Sequence, residues 1–209
     1  MTGWQAGVHV GDHVGDHVGD HMGDFVGGDV ALDFLNTVDD TGKTRQVERL
    51  AGWADAIGWA QAAGLLDAAE AARLAADPAG PEALLRLRAF REAARRMLAD
   101  RAAGVAPDES ALGATEASVR AALAGARLSA EGASPWRLAG GRADADLLHD
   151  RLALRLLRLL GSPEIDHVRE CGRCTWLFLD HGRGRGRRWC RMSACGNRAK
   201  AERFRATRA

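Results

Sequence analysis

Apolar positions recur at helical spacing through most of this chain. Val30-Ala31-Leu32-Asp33-Phe34-Leu35-Asn36-Thr37-Val38 reads as successive helical turns, ended by the turn-forming Asp39-Asp40-Thr41-Gly42. Ala-rich stretches of the same period follow over Val47 to Gly64 and Asp67 to Ala76, where Asp67 and Glu70 make a capping pair. Asp77-Pro78-Ala79-Gly80-Pro81 interrupts the pattern, and Pro81 suits the first turn of the next helix because its missing N–H would have no partner there. In that helix Leu84, Leu87, Phe90, Ala94 and Met97 fall on one face, Arg88, Arg91, Arg95 and Arg96 fall mostly elsewhere, and Gly104 ends it. Another helix follows Pro107 and reaches Ala124. A last one, Ala145 to Leu160, sets Leu148, Leu152, Leu156, Leu159 and Leu160 against Arg151, Arg155 and Arg158. Such a stripe packs on its own core more often than on a membrane or a partner.

The β signal is modest. Arg127-Leu128-Ser129 and Pro135-Trp136-Arg137-Leu138, separated by Glu131-Gly132-Ala133-Ser134, allow one short hairpin. Trp53, Trp59 and Trp136 are assigned to the core rather than to a ligand pocket, since few other large side chains are available to fill it. Gly161-Ser162-Pro163 closes the last helix and marks a domain boundary. The expected fold is therefore mainly α with a minor α+β part: a helical domain over residues 25–163 and a small module over 164–209. Residues 1–24 stand apart. Val10 to Phe25 repeats a Val-Gly-Asp-His unit, with His9, His13, His17 and His21 every four residues. A helix would stack these for metal binding, but each unit also carries a helix-weakening Gly and a turn-favouring Asp. A disordered low-complexity segment is the expectation.

Composition bounds the classes. Of 209 residues 46% are hydrophobic and 27% charged, which is globular, and 29 Lys+Arg against 28 Asp+Glu gives a formal charge of +1. No run of about 18 apolar residues and no signal-like N-terminus occurs, so the expected setting is cytoplasmic, with no membrane. Only Lys43 and Lys200 are lysines; the wealth of Ala, Gly and Arg reads as the codon bias of a GC-rich genome.

All four cysteines lie near the C-terminus, as Cys171-x2-Cys174, 15 intervening residues, then Cys190-x4-Cys195. Two close pairs can present four thiolates to one tetrahedral Zn2+, leaving no open position, so a single structural zinc is expected. A thioredoxin-type redox pair would need a preceding strand in a βαβ unit, and a zinc deaminase a His-x-Glu element; neither is present. His149, His167 and His181 look isolated and no nucleophile–base set stands out, so an enzyme is not expected. Trp176-Leu177-Phe178-Leu179 is extended and apolar, His181 to Arg188 is a Gly/Arg loop, and Ser193 is a candidate N-cap for a terminal helix. The order knuckle, hairpin, knuckle, helix resembles a treble-clef zinc finger, with Trp176, Phe178, Trp189 and Phe204 as its miniature core rather than as base-stacking groups.

Cys195-Gly196-Asn197-Arg198, with Arg188-Trp189-Cys190, Phe178-Leu179-Asp180, Ala199-Lys200 and Arg203-Phe204-Arg205, resembles the signature of the CGNR zinc-finger proteins. In that family the finger follows an ABATE domain tied to stress-induced transcription regulation. The opening of that domain is similar to Gly27-Gly28-Asp29 and Leu32-Asp33-Phe34-Leu35-Asn36-Thr37 here. Residues 1–24 and the Arg/Gly-rich loop at 182–188 depart from the family pattern. The resemblance implies DNA binding by the finger and a regulatory role for the helical domain.

Charge resolved by segment supports it. Residues 171–209 hold eleven Lys+Arg and two acids, whereas residues 1–170 hold 18 and 26. A compact basic module beside an acidic domain is the footprint of phosphate-backbone binding. Arg183, Arg185, Arg187 and Arg188 on the Gly-rich loop, and Lys200, Arg203, Arg205 and Arg208 on the terminal helix, are the candidate contacts to double-stranded DNA. Any one of them alone reads as a solvated surface charge. Asn197 and Arg198 are as suited to bracing the knuckle as to touching DNA. RNA binding remains open, as does a protein-interaction or ligand-sensing module with the finger as a docking element. A homodimer is plausible because one finger covers little DNA; the small-molecule effector, if any, is not legible.

Overall fold

The computed structural model describes residues 25–39, 42–128, 136–138, 144–182 and 186–208. The Val-Gly-Asp-His repeat with its histidines, the side chain of Trp136, and Arg183 and Arg185 lie outside the described residues.

The first helix, α1 (Val30–Leu35), begins where the Asp29 carboxylate accepts the Ala31 N–H at 2.8 Å. Ala31, Leu32, Asp33, Phe34 and Leu35 are all buried. A helix this apolar has to be surrounded, and two later helices and a strand of the C-terminal module pack around it.

The helix ends at Leu35, short of the expected Val38, and Val38 opens a short antiparallel pair instead, β1 (Val38–Asp39) with β2 (Val47–Glu48). The helical stretch expected from Val47 therefore starts later, as α2 (Trp53–Ala62). The local cause is polar. Glu48 Oε1 accepts the Leu50 N–H at 2.9 Å, and the Asp55 carboxylate accepts the Gly52 N–H at 2.7 Å, so the helix is set to begin after Gly52.

The next elements match expectation closely. Asp67 and Glu70 cap α3 (Ala68–Ala75) reciprocally, and Pro81 lies in the first turn of α4 (Gly80–Ala102). Gly80 is obligatory in this packing, because a Cβ there would collide with the Trp53 indole, whose Nε1 donates to the Leu74 carbonyl at 2.8 Å. Asp108 caps α5 (Glu109–Gly125). The hairpin β3 (Ala126–Leu128) and β4 (Trp136–Leu138) pairs antiparallel, and α6 (Leu147–Leu160) follows a 3₁₀ turn at Asp144–Asp146.

Arg91 corrects the reading of α4. It sits four residues after Leu87 and three before Ala94, on the apolar stripe itself, and is 2% exposed. Its guanidinium reaches the Glu48 carboxylate at 2.5 and 2.7 Å, the Thr37 hydroxyl at 3.1 Å and Glu92 at 2.9 Å. Burial pushes the Glu48 carboxyl up, and the Arg91 hydrogen bonds and charge more than reverse this, leaving it below the usual carboxylate range. The pair thus ties β2 to α4.

One continuous core runs from α1 to α6 and on into Val168, Leu177 and Leu179 of the C-terminal module. Trp59 belongs to it, 5% exposed, and Trp53 packs at its edge. Among the described residues no helix is long and apolar enough to cross a membrane.

Candidate functional site

The C-terminal module is built on β5 (Val168–Glu170) and β6 (Leu177–Leu179), antiparallel with Glu170 opposite Leu177. The first cysteine pair occupies the turn between them, closed by the Cys171 N–H on the Trp176 carbonyl at 2.9 Å. The described hairpin therefore carries the first knuckle, where the sequence pattern suggested a hairpin between the two knuckles. Of the second pair, Cys190 precedes and Cys195 lies on a π-helical turn, Met192–Gly196, that leads into α7 (Asn197–Ala206). Ser193 makes no cap to α7; its carbonyl accepts from Asn197 Nδ2 at 3.2 Å, which places Asn197 as a brace across that turn. A Cβ at Gly196 would displace the Met192 side chain and crowd the Trp189 ring.

These elements bring all four cysteines together. Their sulfurs lie within 4.8 Å of one another, every one is buried, and none is in a disulfide. Cys174, Cys190 and Cys195 are separated by 3.6, 3.6 and 3.7 Å. A tetrahedral zinc with Zn–S of ~2.3 Å requires sulfurs about 3.8 Å apart, close to these three spacings, so the cluster is of a size to hold one ion. Four thiolates fill the coordination sphere, and the zinc is structural.

The loop after β6 is folded onto the knuckles. The Asp180 carboxylate accepts the Gly182 and Arg187 N–H groups, both at 2.9 Å, and these bonds hold it below the usual carboxylate range. Gly186 closes the loop in the left-handed region, φ +80°, against the same carboxylate. Arg187 then turns inward: its guanidinium donates to the Trp189 carbonyl at 2.8 Å and to the Cys190 carbonyl, and lies 4.4 Å from the Phe178 ring centre. Arg188 lies over Trp189. Of the expected miniature core, Trp176 and Phe178 are buried and Trp189 packs beside them, but Phe204 is exposed. Helix α7 is too short and too polar to fold back over the cluster, and Val26 from the N-terminal domain packs there instead.

Along α7, Arg198, Lys200, Arg203 and Arg205 are exposed, and so is Arg208 just beyond it. The helix holds one acid, Glu202, and Arg173 of the first knuckle binds it. That pair links α7 to the first knuckle and offsets the helix's one negative charge, with Glu202 itself still half exposed. His167 and His181, isolated in sequence, meet with ring centres 5.2 Å apart, and His181 reaches Glu164 at 2.9 Å.

The finger is also bonded to the opening of the helical domain. Asn36 Oδ1 and Nδ2 engage the Leu177 N–H and carbonyl, the Leu179 N–H donates to the Gly27 carbonyl at 2.8 Å, and Trp176 Nε1 donates to the Val38 carbonyl at 2.8 Å. Arg45, pinned to Glu92, reaches the Thr175 hydroxyl at 3.1 Å. Sequence spacing gave no sign of these contacts; the only hint was that both ends carried family-like motifs.

A helical domain with this opening, followed by a four-thiolate finger, defines a class of two-part zinc proteins. The chain belongs to the ABATE family, whose model, described as "Putative stress-induced transcription regulator", matches residues 28–163, and the CGNR zinc finger model matches residues 167–208. No curated protein matches the chain.

Proposed function

We propose that this protein is a DNA-binding transcription regulator in which zinc holds together a small basic module and α7 presents that module to the phosphate backbone. The observation that carries the reading is the density of exposed positive charge on α7: Arg198, Lys200, Arg203 and Arg205 are all exposed, and the one acid, Glu202, is paired with Arg173. Lys200, Arg203, Arg205, Arg208 and Arg188 are the phosphate contacts, and Arg183 and Arg185 on the neighbouring loop extend the set. Arg187, by its bonds to the Trp189 and Cys190 carbonyls, supports the knuckle instead. A cytoplasmic setting, where thiols stay reduced, suits a zinc tetrathiolate. The helical domain, acidic as a whole and bonded to the finger through Asn36 and Arg45, is the regulatory part.

The test is fluorescence anisotropy of the zinc-loaded full chain on labelled duplex DNA across a salt series. Neutralisation of several phosphates gives a log–log salt slope of about −0.9 per contact, and each of Lys200→Ala and Arg203→Ala lowers its magnitude by about one. No binding at low salt would sink the reading; equal or tighter binding to single-stranded RNA would move it to the RNA class.

A further inference from the structure

We infer that Phe204 is the base-contacting side chain of the α7 surface, set among cations that hold phosphates. The inference rests on the DNA-binding reading above and adds the residue that touches bases.

The side of α7 nearest the finger is marked by Glu202, paired with Arg173, and by Ala199, which is half-buried while the rest of the helix is exposed. At 3.6 residues per turn, the opposite side carries Asn197, Lys200, Ala201 and Phe204, with Arg208 one turn further on. Phe204 is 56% exposed, whereas Phe178 of the same module is 0% exposed. The finger core is complete without Phe204, being made of Trp176, Phe178 and the cysteines with Trp189 and Val26 against them. Packing therefore does not account for an aromatic ring at this position.

Its surroundings select the occupant. The Arg208 guanidinium lies 4.0 Å from the ring centre, and Lys200 precedes Phe204 by one turn on the same side. An apolar protein partner would have to desolvate those charges, whereas DNA neutralises them with phosphates and offers the ring an apolar target in base edges and thymine methyl groups. Apolar side chains flanked by cations are also how groove-binding proteins press against base steps.

The experiment is the same salt series with zinc-loaded Phe204→Ala and Phe204→Leu in the full chain. Phe204→Ala is expected to weaken duplex binding about tenfold at every salt concentration with an unchanged slope, because no phosphate contact is lost. Phe204→Leu recovers part of that loss, and zinc content and melting temperature match the parent. Parent-like affinity of Phe204→Ala overturns the inference while leaving the DNA-binding reading intact. A change in sedimentation with unchanged DNA affinity also overturns it, and assigns the ring to contact between copies. Failure of the parent protein itself to bind duplex DNA removes both.

Discussion

The carboxamide of Asn36 grips the backbone of Leu177, accepting its N–H and donating to its carbonyl, each at 2.8 Å and both buried. The two residues are 141 positions apart. Leu177 and Leu179 turn these backbone groups away from β5, and Asn36 and the Gly27 carbonyl take the place of a further strand. An edge that would otherwise expose unpaired groups is thereby closed by the helical domain.

Asn36→Ala is expected to leave both Leu177 groups without partners. Each buried unsatisfied group costs on the order of 1–3 kcal/mol, so a loss of about 2–6 kcal/mol should appear in urea unfolding. Hydrogen exchange localises the effect: the Leu177 amide should exchange much faster than amides in α4.

Zinc removal should be felt beyond the finger. Val168, Leu177 and Leu179 share the core of the helical domain, and loss of the ion releases the turn that connects β5 to β6. One zinc per chain is expected, abolished in Cys174→Ser. Chelation should lower the melting midpoint of the whole helical signal in far-ultraviolet circular dichroism; an unchanged midpoint would show the two parts to be independent.

Breaking the Arg91–Glu48 pair from either side should be costly. Arg91→Met leaves Glu48 with the Leu50 N–H and the longer Arg88 contact at 3.5 Å, and Glu48→Gln leaves a buried guanidinium with Glu92 as its remaining carboxylate. About 3–5 kcal/mol is expected for each. The double variant should be less damaging than the two losses added, which a double-mutant cycle measures directly.

Asp33 introduces a pH dependence of definite sign. Burial raises its carboxyl from 3.8 to about 6, against hydrogen bonds from the Gly27 and Val26 backbone that pull it down. The folded state therefore binds the proton more tightly than the unfolded one. Stability from this group is fully present below pH about 4 and is lost as pH rises through about 6, on the order of 1–3 kcal/mol. Asp33→Asn should flatten that part of the stability–pH curve.

Arg187→Ala separates bracing from DNA contact. Without its bonds to the Trp189 and Cys190 carbonyls, the second knuckle should yield zinc to a chromogenic chelator severalfold faster. The salt slope of DNA binding should stay within one contact of the parent.

Local rules were sufficient wherever the deciding atoms are close in sequence. The Asp67/Glu70 cap, Pro81 at a helix start and the paired cysteines were all legible because their partners lie within a few residues. Arg91 was not: a cation on an apolar stripe looks like an error of phase until Glu48 and Thr37 are placed beside it. Phe204 failed in the opposite direction, an aromatic counted as core because hydrophobicity says nothing about whether a neighbour remains to bury it. The β1–β2 pair was missed because two-residue strands carry no period.

From the sequence by itself came the mainly helical class, the four-thiolate zinc site and the split between an acidic domain and a basic module, all consequences of composition, short-range spacing and covalent chemistry. Only the tertiary structure decided that β6 completes its hydrogen bonding on Asn36 and Gly27, that Arg91 is buried, and that Arg173 pairs with Glu202 while Lys200 and Phe204 stay exposed. These depend on which distant groups meet, and burial gives such meetings their energy: an unpaired amide or charge is nearly free in water and costly once water is excluded.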